Sequence, residues 1–176
     1  MNAISISTVL VLSQLVLLPY TQAQPSYNLG RVSMNGSIVN SACAIDTGSY
    51  EQTVEMGVLP VGTIDQEGRG PLRPFSIALI GCSFAPYAGD AWQTFSITFE
   101  GPANDQWFSV SGEARGIALS LQDAQGQRIY PGKSTPKQAI VEGNSVLHYG
   151  LRLVSNNHPL RPGDYQSTLR FKLEYY

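Results

Sequence analysis

The stretch 163–176, GDYQSTLRFKLEYY, constrains the fold of this chain more than any other and stands at its C-terminal end. One parity carries mostly apolar side chains and the other carries polar ones, the period of a β-strand with one buried face. The positions of the mainly apolar parity are Tyr165, Ser167, Leu169, Phe171, Leu173 and Tyr175. An apolar strand with no successor would be an exposed sheet edge, which folded proteins normally cover. We therefore expect its second neighbour to come from earlier in the chain or from another polypeptide.

Composition favours one all-β domain. The chain has 176 residues, of which 43% are hydrophobic and 14% are charged, and its net charge is −2. This length suits a single domain with a substantial core, and no basic patch points to nucleic acid. The 17 glycines and 11 prolines, together with many β-branched and aromatic residues, indicate many short strands joined by turns.

Residues 1–23 are predicted to be a secretory signal peptide rather than part of the fold. Ile4 to Leu18 form a nearly uncharged apolar run, and the small-residue site Thr21-Gln22-Ala23 follows it. The alternative is a membrane anchor, for which the run is short. In an exported protein the two cysteines, Cys43 and Cys82, are expected to form one disulfide. A metal pair and a reactive thiol are the alternatives.

A second alternating segment lies near the predicted mature N-terminus. Val32, Met34, Gly36 and Ile38 occupy one parity, and the segment continues to Ile45. Further strands are expected at 52–56, 75–82, 95–99, 117–121 and 147–153, with a Gly/Pro-rich connection over 60–74 and no helix. Six or seven main strands with these spacings favour an immunoglobulin-like β-sandwich.

The sequence contains no recognisable catalytic motif. His148 and His158 are its only histidines, and both are predicted to lie on the surface. Nucleophile elbows, phosphate loops and metal-binding helix motifs are missing from the sequence, so we expect no enzyme, no catalytic or metal-ligating residue and no cofactor. Trp92 and Trp107 could stack on a sugar, although a lone aromatic residue more often belongs to the core or its rim.

The order of these features resembles the subunits of chaperone–usher pili (fimbriae) of Gram-negative bacteria. The resemblance covers residues 24–176 and rests on the segments VSMNGSIVNSACAID, FSIALIGC, GIALSLQDAQGQ and GDYQSTLRFKLEYY. It implies three parts: the signal peptide 1–23, an N-terminal extension 24–40, and an incomplete immunoglobulin-like domain 41–176. This domain would lack its seventh strand and would be completed by a strand donated from another protein, a known example of β-strand addition.

The same resemblance implies roles for residues and partners. Val32, Met34, Gly36 and Ile38 would be the side chains donated to a neighbouring subunit. The acceptor groove and chaperone-binding surface would include Tyr165, Leu169, Phe171, Leu173, Tyr175 and Tyr176. The Tyr176 carboxylate would meet basic residues of a periplasmic chaperone. The further partners are the outer-membrane usher and other pilins, and the protein would pass through the periplasm to a fimbrium at the cell surface.

The position in the fibre stays open at this point. Between Phe75 and Tyr176 the chain looks most similar to the minor subunit that terminates and anchors P pili, at the outer-membrane base. The alternatives are a shaft or adaptor pilin, a domain that folds back on its own extension, and, in another class, a secreted carbohydrate-binding β-sandwich.

Overall fold

The computed structural model describes residues 31, 33–34, 41–84, 91–104 and 106–176. The predicted signal peptide lies outside these residues, as does most of the extension 24–40. Contacts divide the chain into a unit of residues 1–37 and a unit of residues 38–176. The described residues of the first unit, Arg31, Ser33 and Met34, are exposed and belong to no helix or strand. The second unit contains all of the described secondary structure.

The second unit is built almost entirely of strands. Five are long: β2 (Arg73–Cys82), β3 (Thr94–Glu100), β7 (Ile117–Asp123), β10 (Gly143–Ser155) and β12 (Arg170–Tyr175). The short strands are β1 (Ala44–Ile45), β4 (Ala103–Asn104), β5 (Trp107–Phe108), β6 (Ser111–Gly112), β8 (Arg128–Ile129), β9 (Gln138–Ala139) and β11 (Tyr165–Gln166). Two short helices, α1 (Thr47–Tyr50) and α2 (Val61–Glu67), precede β2.

The strands form two principal sheets that enclose the core. The larger sheet has the order β1-β2-β10-β7-β5-β4, with β8 also paired to β7, and the smaller has the order β12-β3-β9. A third pair joins β11 to β6. The aromatic ring of Phe99 in the smaller sheet meets Tyr149 in the larger sheet edge to face, at 5.0 Å between centroids. The predicted fold, an immunoglobulin-like sandwich that lacks a strand, is confirmed.

Alternation in the sequence explains which side chains fill this core. Ile77 and Leu79 of β2 are buried, as are Phe95, Ile97 and Phe99 of β3, with Leu119 and Leu121 of β7. These residues have the parity expected of the inner face of each strand. Burial of a large apolar side chain stabilises the fold by about 1.5–3 kcal/mol.

Two predictions for residues 52–74 are wrong. Residues 52–56 form no strand, although Val54 and Met56 are half-buried against the core as their alternation predicted. The connection over 60–74 contains helix α2, which ends where Gly68 adopts the left-handed conformation at φ 70°. Helix α2 has only two turns, and Ile64 is its only fully buried residue. A segment this short shows too little of the 3.6-residue period to be recognised in the sequence.

The terminal alternating stretch is divided into two strands. Residues 165–166 pair with β6, and residues 170–175 pair with β3, so the two parts belong to different sheets. The intervening residues 167–169 belong to no strand. The long single strand predicted for this stretch is therefore wrong, while the inward parity of its side chains is correct.

Among the described residues, neither helix has the length and apolar character needed to cross a membrane.

Candidate strand-binding groove

A large cavity opens between the two sheets beside the C-terminal strand. We call it the groove, and its volume is about 1160 Å³. It is bounded by residues 160–171 on one side and by residues 49–59 on the other. Sites for small ligands commonly measure about 300–1000 Å³, so the groove is large enough for an extended segment of polypeptide.

The first wall of the groove includes an unpaired strand edge. Strand β12 pairs with β3 and stands at the end of the smaller sheet, so no other described strand adjoins its outer edge. The main-chain groups along such an edge can accept a further strand. Proteins usually cover or blunt edges of this kind, and here the edge lies next to apolar side chains instead.

The opposite wall is formed by residues 52–59, which run without a strand partner. Outside the helices and strands, no main-chain hydrogen bond among the described residues involves this segment. The side-chain amide of Gln52 donates to the carbonyl of Ser76 at 3.0 Å and holds the beginning of the segment near β2. Both walls of the groove therefore present main chain that is not committed to a sheet.

The interior surface of the groove is predominantly apolar. Phe75, Phe99, Leu119, Leu151 and Leu153 contribute from the sheets, and Val54, Met56 and Leu59 contribute from the second wall. Exposed apolar surface of this extent normally marks a site of interaction. An extended segment whose alternate side chains are apolar would match it.

Three of the predicted acceptor residues line the groove. Tyr165, Leu169 and Phe171 do so, and the ring of Phe171 lies 6.1 Å from that of Phe99. Leu173 and Tyr175 lie further along β12, half-buried against the core, and do not line the cavity.

The end of the chain is bonded to the start of β3. A main-chain oxygen of Tyr176 accepts hydrogen bonds from the amides of Gln93 and Thr94, at 2.7 Å and 3.1 Å. The Lys137 ammonium lies 3.7 Å from the centre of the Tyr176 ring, a cation–π contact.

The predicted donor residues fall mainly outside the described residues. Met34 is described, and its side chain is 90% exposed. Val32, Gly36 and Ile38 lie outside the described residues, so their role in donation stays a prediction.

The predicted disulfide is present beside the end of β12. Cys43 and Cys82 are bonded, and both are buried. The phenol of Tyr175 donates to the carbonyl of Cys43 at 3.2 Å. Burial raises the pKa of Tyr175. The disulfide therefore holds in place the segment around Cys43, which is hydrogen-bonded to the end of β12.

Two buried polar groups lie at the groove or next to one of its lining residues: Tyr165 lines the cavity, and Arg73 adjoins Gly57. The hydroxyl of Tyr165 and Nε of Arg73 are buried, and neither has a hydrogen-bond partner. Burial raises the pKa of Tyr165, and the positive charge of Arg73 acts in the opposite direction. Sequence reasoning did not single out Arg73, because an arginine at the start of a strand usually reaches solvent.

Sequence reasoning also missed the second wall of the groove. Val54, Met56 and Leu59 belong to it, and the alternation of Val54 and Met56 was the available signal. Among the described residues, no group of three or more His, Cys, Asp or Glu side chains is arranged to hold a metal ion. His148 and His158 are both exposed, as their positions in the sequence predicted.

Fold and groove together define an immunoglobulin-like sandwich that is open where one strand is missing. The family model described as "Fimbrial protein" matches residues 32–176, and the chain belongs to this family.

Curated relatives include minor pilins. The chain is 32% identical to the PRS fimbrial minor pilin protein of Escherichia coli over 150 residues, covering 83% of this chain and 77% of the relative. Identity to the PAP fimbrial minor pilin protein of the same species is 31%, with the same coverage. The putative fimbrin-like protein FimI of Salmonella typhi is 34% identical over 171 residues, covering 92% of this chain and 94% of the relative.

Solved pilin structures share the fold. The P pilus rod subunit PapA superposes with a TM-score of 0.68 at 21% identity, covering 77% of this chain and 100% of that chain. A subunit of a chaperone–usher pilus studied for rod uncoiling superposes with a TM-score of 0.70 at 20% identity. The superposition covers 88% of this chain and 100% of that chain. At 20–21% identity, these structures show that the chain has the fold of pilin subunits.

Proposed function

We propose that this chain is a structural pilus subunit whose groove is completed by a strand from another protein. The observation that carries the proposal is an apolar cavity bounded by the free edge of β12 and the unpaired segment 52–59. A donated strand would bond to the main chain of the free edge and place alternate side chains in the cavity. Its role is structural and not enzymatic, in keeping with relatives that are fimbrial proteins.

Each of the three parts of the chain has its own role in this assembly. Residues 1–23 direct export, residues 24–40 form the donor extension, and residues 41–176 form the acceptor domain. Val32, Met34, Gly36 and Ile38 enter a neighbouring subunit, and Tyr165, Leu169 and Phe171 receive a strand from a partner.

The partners follow from the need to protect the open groove during export. A periplasmic chaperone occupies the groove first and also contacts Leu173, Tyr175 and Tyr176 at the end of β12. The outer-membrane usher then brings the subunit to its neighbours, and the protein becomes part of a fimbrium at the cell surface.

Co-expression with a pilus chaperone tests completion of the groove. The mature chain should be recovered as a soluble one-to-one complex with the chaperone and should aggregate without it. A chaperone variant whose inserted strand carries a proline at an edge-pairing position is the matched control, because proline removes a main-chain donor. Equal recovery of soluble monomer with the normal chaperone, with the variant and without either would contradict the proposal.

Within this function, we propose that the subunit terminates and anchors the fibre. The supporting observation is its 31–32% identity to two proteins described as minor pilins. A terminating subunit keeps its chaperone, whereas a shaft or adaptor subunit exchanges it for the extension of the next subunit.

The two positions are separated by incubating the chaperone complex with a donor-strand peptide. For a terminator, the complex should remain intact over a day, while the complex of a known rod subunit exchanges in parallel. Exchange at the rate of the rod subunit would reject the terminating position and leave the assignment as a pilus subunit unchanged.

A further inference from the structure

Arg73 brings a positive charge to the inner face of the sandwich. It occupies the same parity of β2 as Phe75, Ile77 and Leu79, which all belong to the core or pack against it. A Cβ atom added at Gly57 would lie 3.1 Å from Nη2 of Arg73, so the guanidinium adjoins the second wall of the groove. Gly57 lines the cavity. Tyr165 also lines it, and its phenol interacts electrostatically with the Arg73 guanidinium.

This charge has no anionic partner in the described part of the chain. Both ion pairs among the described residues belong to Lys172. The acidic residues that line the groove, Glu51, Glu55 and Asp164, are exposed, and none forms an ion pair with Arg73.

Two unsatisfied donors therefore adjoin the same cavity. Nε of Arg73 and the hydroxyl of Tyr165 both lack a hydrogen-bond partner. Leaving a buried donor unsatisfied is unfavourable, and a charged donor costs more than a neutral one. A carboxylate is the side chain suited to this site, because it accepts several hydrogen bonds and neutralises the guanidinium.

The extension of this chain offers no such group. Residues 24–40, QPSYNLGRVSMNGSIVN, contain neither Asp nor Glu, and their one charged residue is Arg31. A second copy of this chain would thus bring apolar side chains into the groove but would leave Arg73 without a counter-ion.

We propose that the groove selects a strand from a protein other than a second copy of this chain, one that places an Asp or Glu carboxylate against Arg73 and Tyr165. The proposal rests on completion of the groove by a donated strand, as proposed above, and not on the position of the subunit in the fibre. Apolar side chains provide the affinity common to all such strands, and the carboxylate distinguishes the selected strand from the extension of a second copy.

A fused donor strand measures this preference directly. The mature chain 24–176 is extended after Tyr176 by a flexible linker and a copy of residues 31–40, so that the strand can enter the groove of its own molecule. At each position of the fused copy, a Glu variant is compared with a Gln variant of nearly the same size. The readout is the midpoint of thermal unfolding of the purified monomer.

We expect Glu to exceed Gln at one or two positions by about 2–4 °C or more, the shift that about 1 kcal/mol produces in a domain of this size. The difference should disappear in R73M and persist in R69M, which removes an exposed arginine outside the groove. A Glu–Gln difference that is zero at every position, or that persists in R73M, would overturn the carboxylate preference. If no fused strand, including the unmodified copy, raises the midpoint above that of the linker alone, completion of the groove itself fails.

Discussion

At the scale of single residues, the disulfide has the clearest structural role. It joins Cys43, just before the edge strand β1, to Cys82 at the end of β2, with 39 residues of sequence separation. Cross-linking a loop of this size stabilises a fold by about 4 kcal/mol in the chain-entropy model. The bond also fixes the carbonyl of Cys43, which accepts the hydrogen bond from Tyr175.

We expect C82S to reduce the free energy of unfolding by about 4 kcal/mol, a large share of a typical total of 5–15 kcal/mol. Urea denaturation of the chaperone-free, donor-fused monomer measures the loss. The double variant C43S/C82S should be no less stable than C82S, because one bond is lost in each. Free thiols detected by mass spectrometry in periplasmic wild-type protein would contradict the role of the bond.

We expect the folded domain to lose stability at alkaline pH because three of its tyrosines are buried or half-buried. Burial raises the pKa of Tyr149, Tyr165 and Tyr175 above the ordinary value of 10.0. Because the folded state holds these phenols neutral, their contribution is fully present below pH 10 and declines as the pH rises above it. Ultraviolet difference titration should show their ionisation displaced upward relative to the denatured chain. Y165F and Y175F should each remove one displaced group, and identical titration of wild type and both variants would refute the assignment.

At the scale of elements, the groove is lined by two segments whose main chain has free hydrogen-bonding groups. β12 pairs on one edge only, with β3 over residues 170–175, and residues 52–59 belong to no strand. The cavity between them exposes apolar side chains that no other described element covers. Strand addition satisfies the main-chain edge and this apolar surface at once.

The face of β12 that points into the groove should matter more than its outer face. We expect F171A to destabilise the chaperone complex strongly, toward the 3–5 kcal/mol typical of a buried Phe-to-Ala change. K172A is the matched control, because the neighbouring Lys172 is exposed and its ion pair with Glu100 contributes little. Urea denaturation of both complexes checks the difference. Equal midpoints for F171A and K172A would argue against a partner strand at Phe171.

The extension should act on the neighbouring subunit and not on its own domain. M34D and I38D would bury an unpaired carboxylate in an apolar acceptor site, which is strongly unfavourable. The chaperone complex should form at normal yield, while incorporation into isolated pili should fall at least tenfold. S33D, on the opposite parity, provides the control. Normal incorporation of M34D and I38D would remove the donor role from residues 24–40.

At the scale of the whole molecule, an open groove predicts that the mature chain depends on a partner. Exposed apolar surface beside a free strand edge promotes association between copies. We expect the purified chain, refolded alone at micromolar concentration, to form oligomers or aggregates. The donor-fused chain should remain monomeric under the same conditions, as measured by light scattering. A stable monomer without a fused strand would favour a domain that is completed by its own extension.

Sequence alternation alone predicted the inward residues of each long strand. Period-two alternation reports burial directly, because successive side chains of a strand point to opposite faces. Phe95, Ile97 and Phe99 could therefore be assigned to the core before any partner strand was known. The pairing of Cys43 with Cys82 was available for a similar reason, since an exported chain with two cysteines has one intramolecular pairing.

How these strands pair, and where pairing stops, depends on contacts between segments that are distant in sequence. Alternation at Val54 and Met56 predicted burial correctly but could not show that no strand adjoins them, because hydrogen-bond partners are distant in sequence. The division of the last stretch at residues 167–169 depends in the same way on β6 and β3. The position of Arg73 beside Tyr165 and Gly57 also arises from packing between separate segments. Local sequence thus specifies which face of a segment is buried, while the neighbours of that face are set by contacts across the whole domain.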